Sequence, residues 1–140
     1  HRKLSAGRLL SDLLCDAIEA RGETTVQLLI PVPLHPSRVR QRGFNQAMEI
    51  ARIASGRFGI PVDQSCIRRT AATAPQSGLT KRERIENIRG AFAMKRPVKA
   101  EQVAIIDDVM TTGMTIEQVA RVLRLHGVRR IDAWVVARRP

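Results

Sequence analysis

At 140 residues the chain is expected to form a single domain, residues 1–140, with a sizeable core. Hydrophobic residues make up 44% of it, ordinary for a globular protein, and no apolar run approaches the roughly 20 residues of a membrane-spanning helix. Lysine and arginine number 24 against 13 aspartate and glutamate, and the net charge of +11 implies an anionic partner, either small-molecule phosphates or a nucleic-acid backbone.

The chain opens His1-Arg2-Lys3-Leu4, with neither an initiator Met nor a signal-peptide pattern, which predicts a missing natural N-terminus. Leu9, Leu10, Leu13, Leu14, Ala17 and Ile18 recur at helical spacing, and Gly22 is a plausible stop. Val26–Ile30 reads as a buried strand, closed by the prolines of Pro31-Val32-Pro33-Leu34-His35-Pro36. Asn45 or Gly43 is placed to cap a second helix with Ala47, Met48, Ala51 and Ala54 inward, ending near Gly59. Val62–Ile67 reads as a strand, residues 70–80 as loop, Lys81–Arg89 as the start of a helix and Ala91–Met94 as a brief strand. Val103–Ile106 is a continuous apolar run of the kind that forms central parallel strands. Ile116, Val119, Ala120 and Leu123 define a helix ending at Gly127, and Ile131–Ala137 is the last strand. Strands alternating with helices predict an α/β domain with a mostly parallel central sheet flanked by helices. Cys15 and Cys66, the only cysteines, read as small core residues. Two thiols and no secretion signal point to a reducing cytoplasm.

Charge is concentrated in the middle. Residues 68–96 hold eight basic and two acidic groups, +6 of the +11. The chemistry, however, is carried by residues 103–115. The apolar run delivers Asp107 and Asp108 to the carboxyl end of a strand, where open α/β sheets bind ligands. Adjacent carboxylates there suit a vicinal diol, since each oxygen accepts a hydrogen bond. The turn that follows, Thr111-Thr112-Gly113-Met114-Thr115, supplies hydroxyls and a glycine that lets successive amides point inward. Thr115, three residues before Gln118, forms a capping-box pattern, and a helix N-terminus is a phosphate site. A diol and a phosphate together describe ribose 5-phosphate. There is no Walker loop and no dinucleotide glycine pattern.

This stretch resembles the phosphoribosyl pyrophosphate signature of type I phosphoribosyltransferases. Pro-Val-Pro-Leu-His-Pro at 31–36, Arg-Gly-Phe-Asn-Gln at 42–46, Arg-Arg-Thr at 68–70 and the block from Pro75 to Phe92 are similar to the ComF family, which includes competence protein ComF and the GntX type. The resemblance implies a type I phosphoribosyltransferase-like fold with a flexible lid loop. It also implies binding of phosphoribosyl pyrophosphate with Mg²⁺ and transfer of the phosphoribosyl group to an unidentified nitrogenous base. Asp107 and Asp108 would serve the ribose as catalytic residues. Asp107, Asp108, Val109, Met110, Thr111, Thr112, Gly113, Met114 and Thr115 would line the ribose-5-phosphate site. Val32, Pro33 and Leu34, with Lys81, Arg82 and Arg84 from the lid, would meet the pyrophosphate. Mg²⁺ would be held through ligand and water, with no direct protein ligand. A lid would keep water from the oxocarbenium-like centre formed as pyrophosphate leaves. Family members commonly carry an N-terminal four-cysteine zinc element, and this chain begins after its place.

Two further readings stay open: a non-catalytic, nucleotide-responsive partner in competence and DNA uptake, and a nucleic-acid-binding module. Dimers are common in the wider fold, and a homodimer is likewise open. Of the remaining candidates, His35 beside the pyrophosphate loop reads mainly as a surface residue, His126 as a helix-dipole residue, and Arg121 and Arg124 as a solvated helix face. Asn45 and Gln46 are placed to face the site. With Trp134 and three phenylalanines the only aromatics, no base-stacking platform is legible.

Overall fold

The computed structural model describes residues 2–34, 45–70, 80, 90–110 and 113–138, with side chains from Gly7 onward. Helix α1 (Arg2–Ala20) ends where Arg21 and Gly22 donate to the carbonyls of Ile18 and Glu19, Gly22 taking a φ of 103°. Its apolar residues do not share one face. Cys15 is buried, and Leu14 and Ile18 pack inward, whereas Leu9, Leu10 and Leu13 are 60, 46 and 54% exposed. Six large apolar positions exceed what one helical stripe can bury against one sheet.

Strand β1 (Leu28–Pro31) begins two residues later than Val26, although Val26 is itself buried. Helix α2 (Gln46–Phe58) is capped by Asn45, whose side chain accepts from the Ala47 amide at 3.0 Å, and closes on Gly59 at φ 68°. Its inward face is Ala47, Ile50, Ala51 and Ala54; Ile50 takes the place predicted for Met48, which is only partly covered.

The run predicted as one strand, Val62–Ile67, is broken. Val62 makes an isolated bridge to Leu29, and β2 is Ile67–Arg69. The cause is Asp63, whose Oδ1 accepts from the amides of Ser65 and Cys66, both at 3.0 Å, and so bends the chain out of a ladder. Strand β2 pairs antiparallel with β3 (Phe92–Met94), Arg69 opposite Phe92. Strand β4 (Gln102–Met110) lies between β1 and β5 (Arg130–Arg138), parallel to both, with helix α3 (Met114–Leu125) before β5.

The pleat of β4 divides the core. Val103 and Ile105 pack with Ile30, Val32 and the α3 residues Ile116, Val119 and Leu123. Ala104 and Ile106 face the other way, onto Leu29, Cys15, Trp134 and the inner face of α2. All four of these β4 residues are fully buried, which explains their uniformly apolar character in a strand covered on both sides. Arg57 holds α1 to α2, its Nε donating to Glu19 Oε1 at 2.8 Å while Nη2 pairs with Asp16. No described helix is long and apolar enough to cross a membrane.

Candidate functional site

Strand β4 carries the acidic pair to the carboxyl end of the sheet but does not stop there. Asp107 pairs with Val135, Val109 with Ala137 and Met110 with Arg138, so the ladder runs on past both carboxylates. The β5 backbone offers partners for those extra residues, a contribution that the local sequence does not announce.

Each carboxylate folds onto the next amide. Asp107 Oδ1 accepts from the Asp108 N–H, and Asp108 Oδ1 from the Val109 N–H, both at 2.9 Å. Burial and then the Asp108 side chain push the Asp107 pKa up to about 7, with the Asp108 amide and the positive charge of Arg69 opposing the rise. Asp107 is thus a carboxyl that holds its proton near neutrality.

The strand's two faces lead to different spaces. Asp107, Met110, Gly113, Met114 and Thr115 surround a pocket of about 30 Å³, close to the ~30 Å³ that one water occupies in the liquid. Asp108 instead opens into a groove of about 1010 Å³ between α1 and α2, with Gln46, Ile50, Ile53 and Val136 among its walls. Val109, 38% exposed, borders both.

Gly113 takes φ 80°, ψ −1°, a left-handed conformation that side-chain-bearing residues resist, and it is the N-cap of α3. Its carbonyl accepts from the Glu117 amide at 2.9 Å, and as a glycine it offers the helix no side-chain cap of its own. Thr115 is therefore already the second helical residue, and the predicted capping box with Gln118 does not form. Gly113, the N-cap residue beside Asp107, has no side chain with which to cap α3, and a helix terminus attracts an anion.

At the end of β1, Val32 is buried, its amide donating to Ile106 O at 2.9 Å and its carbonyl accepting from Asn45 Nδ2 at 3.3 Å. Pro33 has no N–H. Of Val32, Pro33 and Leu34, the described residues among the six predicted to meet pyrophosphate, only Leu34 keeps an amide that these bonds do not use. Asn45 is spent on capping, and Gln46 faces the groove that Asp108 also lines. Thr111, Thr112, Lys81, Arg82, Arg84 and His35 lie outside the described residues.

Arg69 escaped the reading of the sequence. Its guanidinium lies 5.1 Å from the centre of the Phe92 ring and acts electrostatically on Asp107. The hairpin closes beside it, Thr70 donating through N to Ala91 O and through Oγ1 to Gly90 O. The Arg-Arg-Thr block was the available signal, but only the fold shows that the charge of its second arginine is felt by Asp107. Among the described residues no group of three His, Cys, Asp or Glu side chains is arranged to hold a metal ion.

Comparison with known proteins agrees with this frame. The chain is 35% identical over 129 residues to the DNA utilization protein YhgH of Escherichia coli (strain K12), covering 90% of this chain and 57% of that protein. It is 34% identical over 134 residues to competence protein F of Haemophilus influenzae, covering 94% and 58% respectively. The chain thus spans under three fifths of the length of these relatives. Among solved structures, the purine phosphoribosyltransferase of Pyrococcus horikoshii Ot3 superposes with a TM-score of 0.52 at 17% identity, covering 96% of this chain and 74% of that one. A hypoxanthine phosphoribosyltransferase of Staphylococcus aureus gives 0.54 at 11% identity, covering 95% and 74%. These two show a shared fold. Residues 39–140 match the phosphoribosyl transferase domain, and this chain belongs to that family.

Proposed function

We propose that this chain binds phosphoribosyl pyrophosphate and transfers its phosphoribosyl group to a nitrogenous acceptor, releasing pyrophosphate. The observation that carries this reading is the adjacent carboxyl groups of Asp107 and Asp108, each folded onto the next amide, set beside the glycine-opened start of α3. The carboxyl pair offers acceptors to the ribose hydroxyls. The turn from Thr111 to Thr115 takes the 5-phosphate, which sits at the mouth of the small pocket, on the helix terminus, because the pocket itself is too small for it. Leu34, Lys81, Arg82 and Arg84 meet the pyrophosphate, with Arg69 added to them by the fold. In the transfer, the acceptor nitrogen's lone pair forms the bond to the anomeric carbon. The bond from that carbon to pyrophosphate breaks, its electron pair leaving on oxygen.

Two carboxyl groups are too few for a cation cage, so they fit a Mg²⁺ ion held mainly by ligand oxygens and water. When bound, the ion supplies charge neutralisation to the pyrophosphate. The rest falls to the protein: Asp107 and Asp108 orient the sugar, and the basic segment offsets the leaving group. On this reading the protein works in the cytoplasm, with both thiols free and buried.

The test is pyrophosphate release from phosphoribosyl pyrophosphate with Mg²⁺ across a panel of nucleobases, for the protein and for Asp108→Asn. Base-dependent release that falls about 100-fold or more in the variant is expected for a lost transition-state contact. The relatives' names, DNA utilization and competence, favour a second reading: a nucleotide-responsive partner that binds without turnover. Saturable binding with no release for any base selects it.

A further inference from the structure

The groove between α1 and α2 is larger than a sugar site needs. It holds about 1010 Å³, at the top of the ~300–1,000 Å³ range of small-molecule sites. One end lies at the carboxyl edge of the sheet, where Asp108, Val109 and Gln46 line it. Helix α2 starts at that edge, since Asn45 Nδ2 donates to Val32 O. The other end is closed by Arg57, which lines the groove and ties α2 to Glu19 and Asp16 of α1. Gln46 and Gly56 both line it, and their separation along α2 is about 15 Å at helical rise. A purine beside Asp108 would cover only the head of that length.

The lining describes what would fill the rest. In a chain of net charge +11 this groove is neutral: Arg8, Arg52 and Arg57 are matched by Asp12, Glu49 and Asp108, with Arg52 paired to Glu49 at 2.7 Å. Leu10, Ile50, Ile53 and Val136 supply apolar wall. Such a lining holds an uncharged body and offers little to a chain of phosphates. Gly7 of α1 and Gly56 of α2 also line the groove, both within helices, where glycine is weaker than alanine. Neither takes a positive φ, and a Cβ added to either meets no described atom within 4 Å. Turn geometry and close packing therefore give no reason for glycine at these positions, whereas the width of the groove does.

We propose that this groove takes the acceptor, and that the acceptor is longer than a free nucleobase: a nitrogen heterocycle beside Asp108 and Gln46, carrying an uncharged apolar substituent along α2 toward Gly56. The proposal rests on the phosphoribosyl reading and names its substrate class. Continuity carries it, because Asp108 and Val109 line the groove and Val109 also borders the small pocket at the start of α3. The Gln46 amide has both a donor and an acceptor for the edge of a heterocycle. In the transfer, the heterocycle nitrogen's lone pair forms the bond to the anomeric carbon. The bond to pyrophosphate breaks with its electrons on oxygen, and the nitrogen's proton passes to water.

The test is isothermal titration calorimetry of the whole chain, saturated with ribose 5-phosphate, which has no leaving group and so permits no turnover. The probes are adenine, cytosine and guanine, each beside its derivative with a hexyl chain on the exocyclic nitrogen. At least one hexyl base should bind about tenfold or more tighter than its parent, the gain from burying two or three methylenes. Gly56→Leu, whose side chain leans back over the turn that holds Ile53, should remove that advantage, and Gly56→Ala should keep it. Both variants should melt no lower than the parent, since each replaces a helical glycine, and this separates a filled groove from a damaged fold. The proposal is overturned if no hexyl base outbinds its parent, or if Gly56→Leu retains the advantage. It is equally overturned if the chain is a dimer in solution and Gly56→Leu makes it a monomer, because the groove is then a subunit contact. Ribose 5-phosphate that fails to bind, with the hexyl advantage present and lost in Gly56→Leu, refutes the phosphoribosyl reading and upholds the groove as a site for apolar-substituted heterocycles.

Discussion

Replacing Asp107 by asparagine should change how stability depends on pH. Folding raises this carboxyl from 3.8 to about 7, chiefly by burial. A group whose folded pKa lies above its unfolded value is stabilising where it is protonated. Its contribution is complete below the unfolded value and is lost as pH rises through the folded one. The native chain should therefore lose stability from about pH 4 to pH 7 through this residue and level off above. At roughly 1.4 kcal/mol per pH unit the whole effect is capped on the order of 4 kcal/mol, of which about 3 falls between pH 5 and 8.5. Asparagine keeps the shape and an acceptor but cannot ionise. The variant's advantage in melting temperature should grow by about 12 °C between those two pH values, at about 4 °C per kcal/mol for a domain of this size. Comparing the two proteins at each pH cancels the other titrating groups. Calorimetric or circular-dichroism melts across the range supply the measurement. Two parallel curves, with a constant offset, would refute the claim that burial keeps Asp107 protonated.

Other perturbations follow from the same geometry. An added Cβ at Gly113 meets only Met110 Sδ, at 3.8 Å. Gly113→Ala should therefore cost about 1–2 kcal/mol through backbone strain alone, read as a lower urea midpoint together with weaker phosphate binding. Asn45→Ala removes both the cap on Ala47 N–H and the bond to Val32 O; a loss of about 1–2 kcal/mol is expected, mostly recovered in Asn45→Asp, which retains the cap acceptor. Asp63→Ala orphans two amides and takes the carboxylate, 2.6 Å away, from Arg96 Nη2, which keeps only its bond to Ser65 Oγ. Chemical denaturation should show a cost of about 1–3 kcal/mol.

The sequence was most legible where a pattern is local and uninterrupted. The apolar run before Asp107 became the central strand, and Ile116, Val119, Ala120 and Leu123 are the four residues that α3 buries. Asn45 and Gly59 cap α2 because short-range chemistry decides caps. Where tertiary partners decide, the sequence was silent. Strand β4 extends to Met110 because β5 pairs with it, and this extension moves the start of α3 and prevents Thr115 from capping. The break after Val62 is written in one side chain, Asp63, that an apolar count passes over. The leucines of α1 read as one stripe, yet the sheet has room for only part of it. Arg69 was invisible as a site residue, since its electrostatic influence on Asp107 depends on the β2–β3 hairpin and spans almost forty positions.

The distribution of charge follows from the chemistry of the site. A carboxyl that already resists ionisation is a poor host for a phosphorylated sugar, because every added negative charge disfavours the ionised Asp107 further. Such a ligand is tolerated only if cations arrive with it. The chain places +6 of its +11 in residues 68–96, and Arg69, at the start of that segment, already acts on Asp107 in the direction required. Neutral diols need no such supply, and a nucleic-acid surface alone would not need it beside buried acids. A proton-holding carboxyl under the influence of Arg69 is what the proposed ligand, carrying both hydroxyls and phosphates, would require.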